Sequence, residues 1–489
     1  MRIGHISRNA LSYVSGQVAM AVAGLLSSAI LARYMTKADF GDYSYLVALA
    51  TLVIPLLDLG GQSIAMIQGA RDRGRMGWYW ARTVGIKVYS TPLTAGVLAA
   101  YFWWGEGSVG IRFVLVLIYA WLQALLLSTD APFRASERGK LWAIRRTVYE
   151  IAFLLMTVAA LAFFHLTGAL QQVTVGVLSI ALGVGWAMTT VFRITNLSWH
   201  DLADAVFRPF PFKELKALWP FALSAILFAF YYRLTVVFIE KLGNTSEVAD
   251  FRVAFIVMMS ALYVTSAVIW STVPRIALHD EQGNTEQFHK LLRHSSDINF
   301  YLSVLITVGG YLYGGKLIAI VFGPKYAAMT GLWHVMDLAL GVFFLQQYYS
   351  TLLNSLRHER SVSLTLALGI VLLTILNIVL IPKMGAIGAA WARVAAGVLM
   401  VPLNMRRVAA IAGWHTLFGR KPLLLVGAGA ISVAVGVFTL PVQFWLSIAL
   451  FLASFAILTY LSGSMPHHLE RIVTAGARVV LKPLTRRGN

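Results

Sequence analysis

The sequence predicts an all-α polytopic membrane protein of fourteen transmembrane helices with both termini cytoplasmic. Three observations carry this expectation. The 489 residues are 58% hydrophobic and only 12% charged, with mean hydropathy +0.72, well above the apolar share of about 45–50% found in soluble domains. Apolar segments long enough to cross a hydrocarbon core of about 30 Å recur along the whole chain. Most of the 40 basic residues fall in alternate connections, the distribution expected of loops on the cytoplasmic face.

In chain order the apolar segments lie near 10–32, 43–67, 83–104, 109–133, 147–167, 170–192, 217–239, 250–273, 297–321, 328–354, 362–381, 385–405, 421–440 and 442–462. The first follows MRIGHISRNALSYVSGQ and runs on to Leu31 without a small-residue cleavage pattern, so it reads as a retained span. The last two are separated only around Pro441. Arg71, Arg73, Arg75 and Arg82, then Arg134, Arg138, Lys140, Arg145 and Arg146, then Arg193, Arg208, Lys213 and Lys216 mark successive inner loops, and later connections continue the alternation. The net charge of +19 is thereby explained by topology and by a basic tail, His468 to Arg487, suited to lie on anionic lipid. No nucleic-acid motif competes with that reading. The chain has no cysteine, which excludes disulfides, thiol catalysis and cysteine-ligated metal.

A repeat is visible. Residues ILARYMTKADFGDY (Ile30 to Tyr43) align with FIEKLGNTSEVADF (Phe238 to Phe251) at a constant offset, pairing Asp42 with Asp250 and Tyr43 with Phe251. Each closes one helix, makes a short outer turn and opens the next. The offset spans six helices, an even number, so the halves would be parallel repeats about an axis along the membrane normal. The expected organisation is a first lobe at 1–194 (helices 1–6), a cytoplasmic linker at 195–216, a second lobe at 217–407 (helices 7–12), two further helices within 408–463, and a basic tail at 464–489.

The stretches Leu31 to Ser44 (LARYMTKADFGDYS), Ile320 to Met329 (IVFGPKYAAM) and Ile381 to Val394 (IPKMGAIGAAWARV) resemble the polysaccharide-export flippases of the multidrug/oligosaccharidyl-lipid/polysaccharide (MOP) superfamily, which also holds lipid II flippases and multidrug and toxin extruders. The resemblance runs through the chain in order and spacing. It implies a V-shaped, two-lobed transporter of the bacterial inner membrane, alternating between inner and outer openings. Its cargo would be an undecaprenyl-pyrophosphate-type lipid-linked oligosaccharide. Members often carry an aspartate two residues after the arginine of helix 7, whereas YYRLT here places Thr235 at that position.

Charged residues inside apolar spans are the candidate functional groups, because an arginine at the bilayer centre costs roughly 2.5–3.5 kcal/mol even on lenient insertion scales. Arg233 lies within Leu218 to Ile239, and Arg393 within the segment at 385–405. Either they form ion bridges, for example to Asp58 and Asp337, or they line a cationic cavity for a pyrophosphate, which guanidinium binds through paired, charge-assisted hydrogen bonds. Tyr231 and Tyr232 flank Arg233, to hold it, stack on a sugar or pack between helices. Lys87 is within reach of the inner interface by snorkelling, and Arg33 closes helix 1 at the outer face. Gln62, like Gln123, Gln346 and Gln347, offers hydrogen bonds to sugar hydroxyls or to neighbouring helices. Asp58, followed by Gly60 and Gly61, and Asp337, beside His334, are the candidates for H⁺ or Na⁺ coupling. Asp130, Glu150 and Asp297 sit near inner ends, where capping and loop ion pairs account for them.

Enzymatic readings find little support. The outer connections are too short to house a glycosyltransferase site, no phosphate-binding glycine loop occurs, and His467 with His468 or His289 with His294 lack a carboxylate at metal spacing. No cofactor is expected. The alternatives are an ion-coupled drug antiporter of the same superfamily, which would favour an acidic or aromatic cavity, and a scramblase or scaffold within a polysaccharide polymerase or ligase assembly.

Overall fold

The computed structural model describes residues 3–208, 212–414, 421–440 and 443–466. The basic tail from His468, the pair His467 and His468, and the separation at Pro441 lie outside them. The described residues are helical throughout, with no strand. In order they form α1 (Ile3–Tyr34), α2 (Lys37–Asp58), α3 (Gly61–Arg71), α4 (Met76–Glu106), α5 (Ile111–Ser128), α6 (Asp130–Ala135), α7 (Gly139–Ala162), α8 (Ala169–Thr195) and α9 (Trp199–Phe207). There follow α10 (Phe212–Leu242), α11 (Thr245–Glu281), α12 (Thr285–Phe322), α13 (Thr330–Ser355), α14 (Glu359–Ala412), α15 (Lys421–Thr439) and α16 (Phe444–Leu461). Among the described residues nine helices are both long and apolar enough to cross a membrane, which makes this a multi-pass membrane protein.

One expected segment is more irregular than a continuous apolar run suggests, and two expected as separate run on as one helix with a break at their boundary. The second, 43–67, is broken: Leu59 (φ 44) and Gly60 (φ 79) both adopt left-handed backbone, ending α2 and starting α3. A Cβ on Gly60 would stand 2.6 Å from the Cβ of Phe221 on α10, so conformation and packing both require glycine there. α14 holds 54 residues, about 80 Å of helix and enough for two crossings, and it breaks at Gly385 (φ 57, ψ −138). This glycine lies inside the IPKMGAIGAA stretch. A Cβ on it would collide with the carboxylate of Glu247, which accepts the Ala386 backbone N–H at 3.0 Å and so satisfies a donor at the start of the second leg.

The chain forms two compact units. The first comprises 1–260 with 321–323 and 370–392. Within it the repeated stretches form the same local structure, a helix, a two-residue turn and a second helix. Thr36 Oγ1 caps α2 by accepting the Asp39 N–H at 3.0 Å, and Asn244 Oδ1 accepts the Glu247 N–H at 3.0 Å at the equivalent place of α11. The paired acids both carry ion pairs: Asp42 with Arg112 at 2.9 Å, Asp250 with Lys37 at 2.8 Å. On the other end of this unit Asp130 pairs with Arg145 and lies 3.9 Å from Arg146, a buried bridge between α6 and α7 and not the loop ion pair expected.

The second unit comprises 261–320, 324–369 and 393–489. Its core includes Ile269, Phe288, Leu292, Tyr348, Leu352 and Val408, and α15 and α16 attach through Tyr301, Leu425 and Phe455. The Tyr313 hydroxyl also bonds Ser447 at 2.9 Å, tying α12 to α16.

Candidate functional site

In the first unit the candidate site is an arginine and tyrosine cluster on α2, α5, α7, α10 and α11. Tyr119 on α5 is acted on electrostatically by Arg233 on α10, by Arg252 on α11, and by Tyr43 and Tyr149. Two glycines of α8 leave room for the rings: a Cβ on Gly176 would stand 3.0 Å from Tyr119 Cε2, and one on Gly183 would stand 2.5 Å from Tyr149 Cδ2. Tyr231 is fully buried and meets Tyr232 edge-on at 5.5 Å, while Tyr232 stacks on Phe228. Chemically the cluster offers two guanidinium groups and several phenolic hydroxyls inside apolar spans, a combination suited to anionic oxygen. Thr235, where relatives often hold an aspartate, is buried and accepts a hydrogen bond from Asn377 Nδ2 at 3.4 Å.

Arg252 is the member that sequence reasoning missed. It lies near the start of its apolar segment, where an arginine reads as an interfacial terminus. The available signal was a tyrosine within its electrostatic reach, since Tyr43 belongs to the repeated stretch. Arg393 belongs to the second unit. It is fully buried, with its guanidinium 5.8 Å from the Phe343 ring centre, in cation–π contact.

The remaining candidates divide between the units. Asp58, Lys87 and Gln62 come together at the break between α2 and α3. Lys87 Nζ donates to Asp58 Oδ1 at 2.7 Å and to the Thr83 carbonyl at 3.2 Å. Snorkelling is therefore not its conformation: Lys87 is fully buried, because a carboxylate one helix away offers a nearer partner than the interface. Asp58 Oδ2 accepts the Gln62 N–H at 3.2 Å, and the Gln62 side chain donates to the Leu127 carbonyl at 3.0 Å, a helix-to-helix bond. Arg33 Nε donates to the Val321 carbonyl at 2.7 Å. Gln347 bonds Ser266 at 3.3 Å, again between helices.

Asp337 on α13 differs from Asp58. It is fully buried, neither carboxyl oxygen has a hydrogen-bond partner among the described residues, and it abuts Gly310, whose missing side chain makes space for it. Trp333 donates to the Gly310 carbonyl at 2.7 Å, and His334 stacks on Tyr311 at 4.3 Å.

A family profile described as polysaccharide biosynthesis protein matches residues 6–278. No curated protein matches the sequence. Among solved structures, lipid II flippase MurJ in an inward closed conformation superposes with a TM-score of 0.69 at 12% identity, over 92% of this chain and 98% of that one. A MOP superfamily transporter from Pyrococcus furiosus, described as having a binding pocket of reversed polarity, gives 0.58 at 13% identity, over 83% and 96%. A mutant of the Vibrio cholerae MATE transporter VcmN gives 0.52 at 14% identity, over 83% and 97%. At these identities the likeness is one of fold, and the fold is that of the MOP superfamily.

Proposed function

Because the chain belongs to the polysaccharide biosynthesis protein family, we propose that it is a flippase moving a polyprenyl-pyrophosphate-linked oligosaccharide across the bacterial inner membrane for surface polysaccharide synthesis. The observation that carries the reading is that Arg233 and Arg252 both lie inside apolar spans and within electrostatic reach of Tyr119. A pyrophosphate compensates buried guanidinium charge through short, paired hydrogen bonds, and the neighbouring hydroxyls suit the first sugar. Likeness of fold to a lipid II flippase supports a lipid-linked cargo.

In this reading the chain has fourteen transmembrane helices and cytoplasmic termini. Helices 1–6 (1–194) and 7–12 (217–407) act as lobes, with two appended helices at 408–463. The lobes rock about a site near the midplane, Arg233, Arg252 and Arg393 hold the pyrophosphate, Tyr231 and Tyr232 border it, and the isoprenoid tail stays in lipid. Asp58 and Asp337 are the residues through which H⁺ or Na⁺ would act, and the flipped product would pass to polymerase or ligase machinery. The protein acts as a transporter and not as an enzyme.

Surface polysaccharide and protein abundance, measured together in cells carrying single substitutions, test the site. A charge-assisted hydrogen bond contributes about 1.5–3 kcal/mol, so Arg233→Ala and Arg252→Ala should each lower export by about tenfold or more at normal abundance. Arg393→Ala should do the same. Full export by all three variants would remove the assignment.

A further inference from the structure

At the end of the first unit marked by the basic loops, two cavities adjoin. One, of about 660 Å³, is lined by Arg75, Arg82, Arg208, Trp78, Asn196 and Asp201 among others. The other, of about 340 Å³, is mostly apolar and is lined by Gly61, Ile64, Ala65, Ile86 and Leu218. They share Trp78 and Arg82. A basic chamber thus opens beside a greasy groove, with one tryptophan and one arginine at the junction.

The short helix α9 forms one wall. Its capping box, Ser198 with Asp201, fixes its start, and α4 fixes its end: Arg82 donates to the Ala205 and Arg208 carbonyls at 3.1 and 2.5 Å, and the Tyr89 hydroxyl donates to the Phe207 carbonyl at 2.9 Å. Gly85 lets the Val206 backbone approach, since a Cβ there would stand 2.7 Å from its carbonyl oxygen. Trp199 and Phe207, at the two ends of α9, are largely exposed at 72% and 69%. Aromatic rings placed this way mark the headgroup level of a bilayer. Hydrogen bonds from Ser198 hold Asp201 below its ordinary value, so it is ionised at neutral pH. Among the chamber's lining residues one carboxylate therefore stands against three guanidinium groups, and Asp72 outside the lining lies 3.9 Å from Arg75, which leaves the site net positive.

We propose that these joined cavities bind an anionic glycerophospholipid of the inner leaflet, its phosphate among Arg75, Arg82 and Arg208 and one acyl chain along Ile64, Ala65, Ile86 and Leu218. Charge complementarity selects an anion, the apolar groove selects a lipid over free phosphate, and the topology proposed above puts α9, with its exposed Trp199 and Phe207, at the level of the headgroups. The site would be distinct from the Tyr119 cluster. The proposal rests on the topology proposed above and not on the cargo.

Lipid retention by the full chain tests it. The protein is incorporated in nanodiscs of mixed phosphatidylglycerol and phosphatidylcholine, released, and the lipids that remain bound are counted by native mass spectrometry. Wild type should retain phosphatidylglycerol selectively. An arginine near an anionic headgroup is worth about fivefold in association, so Arg75→Gln with Arg208→Gln should lower that selectivity by about 25-fold. Both residues are exposed on the chamber's rim, so the fold should survive. Ile64→Trp, which fills the groove, should lower retention while leaving both arginines in place. Arg138→Gln with Lys140→Gln, elsewhere on the basic face, should leave it unchanged. Equal selectivity in wild type and the arginine variant would overturn the site, as would equal losses from the control pair. Saturable stabilisation by inorganic phosphate alone, unaffected by Ile64→Trp, would show an anion site without a lipid and would also overturn it.

Discussion

Lys87 and Asp58 form a bridge in which the cation is fully buried and the carboxylate is mostly so, its side chain 16% exposed. Removing one partner leaves an uncompensated charge, at a cost of about 3–5 kcal/mol, whereas replacing both with apolar groups is close to neutral. Lys87→Met should therefore lower thermal stability markedly, and Asp58→Leu combined with Lys87→Met should restore most of it; a double variant as unstable as the single one would mean that the charges do not form a pair. The two candidate coupling acids are separated by a milder change. Asp58→Asn and Asp337→Asn keep shape but cannot carry a proton. If Asp337 mediates coupling, Asp337→Asn should abolish the dependence of transport on pH or Na⁺ without lowering protein abundance, while an unaltered dependence would exclude it. In the sequence both acids could be read as partners for the arginines. Asp58 found Lys87 instead, which spacing along the chain could not reveal, because the bridge depends on how α2 breaks and where α4 passes.

Breaks rather than continuous helices position these groups. Gly385 combines a left-handed φ with contact to Glu247, so Gly385→Ala should be destabilising by about 1–3 kcal/mol, measurable as a lower unfolding temperature in detergent. Glu247→Gln keeps an acceptor for the Ala386 N–H and should cost less than Glu247→Ala; equal costs would show that charge and not the hydrogen bond matters there. The IPKMGAIGAA stretch is one of those that carry the family resemblance, and its glycine has this physical reason. The repeated turn was legible for a related reason: short capping residues such as Thr36 and Asn244 must stand where a helix begins. The break at Leu59 was less legible, because a left-handed leucine is rare and Gly60 with Gly61 reads equally well as a flexible point within one helix.

For the whole molecule, apolar length and loop charge sufficed to predict an all-helical, multi-pass membrane protein, because a bilayer leaves the backbone few other ways to satisfy its hydrogen bonds. Cargo was not legible at that scale. The MOP fold is shared by the structures described as a lipid flippase and as multidrug transporters, so the assignment rests on charge inside the spans. The most direct measurement is a sidedness assay in proteoliposomes, with a labelled polyprenyl-pyrophosphate oligosaccharide placed in one leaflet and quenched or enzymatically modified from the other. Wild-type protein should speed its transfer well above protein-free vesicles, and Arg233→Ala with Arg252→Ala should return the rate to that background. Transfer no faster than in empty vesicles, or undiminished in the double variant, would contradict the account.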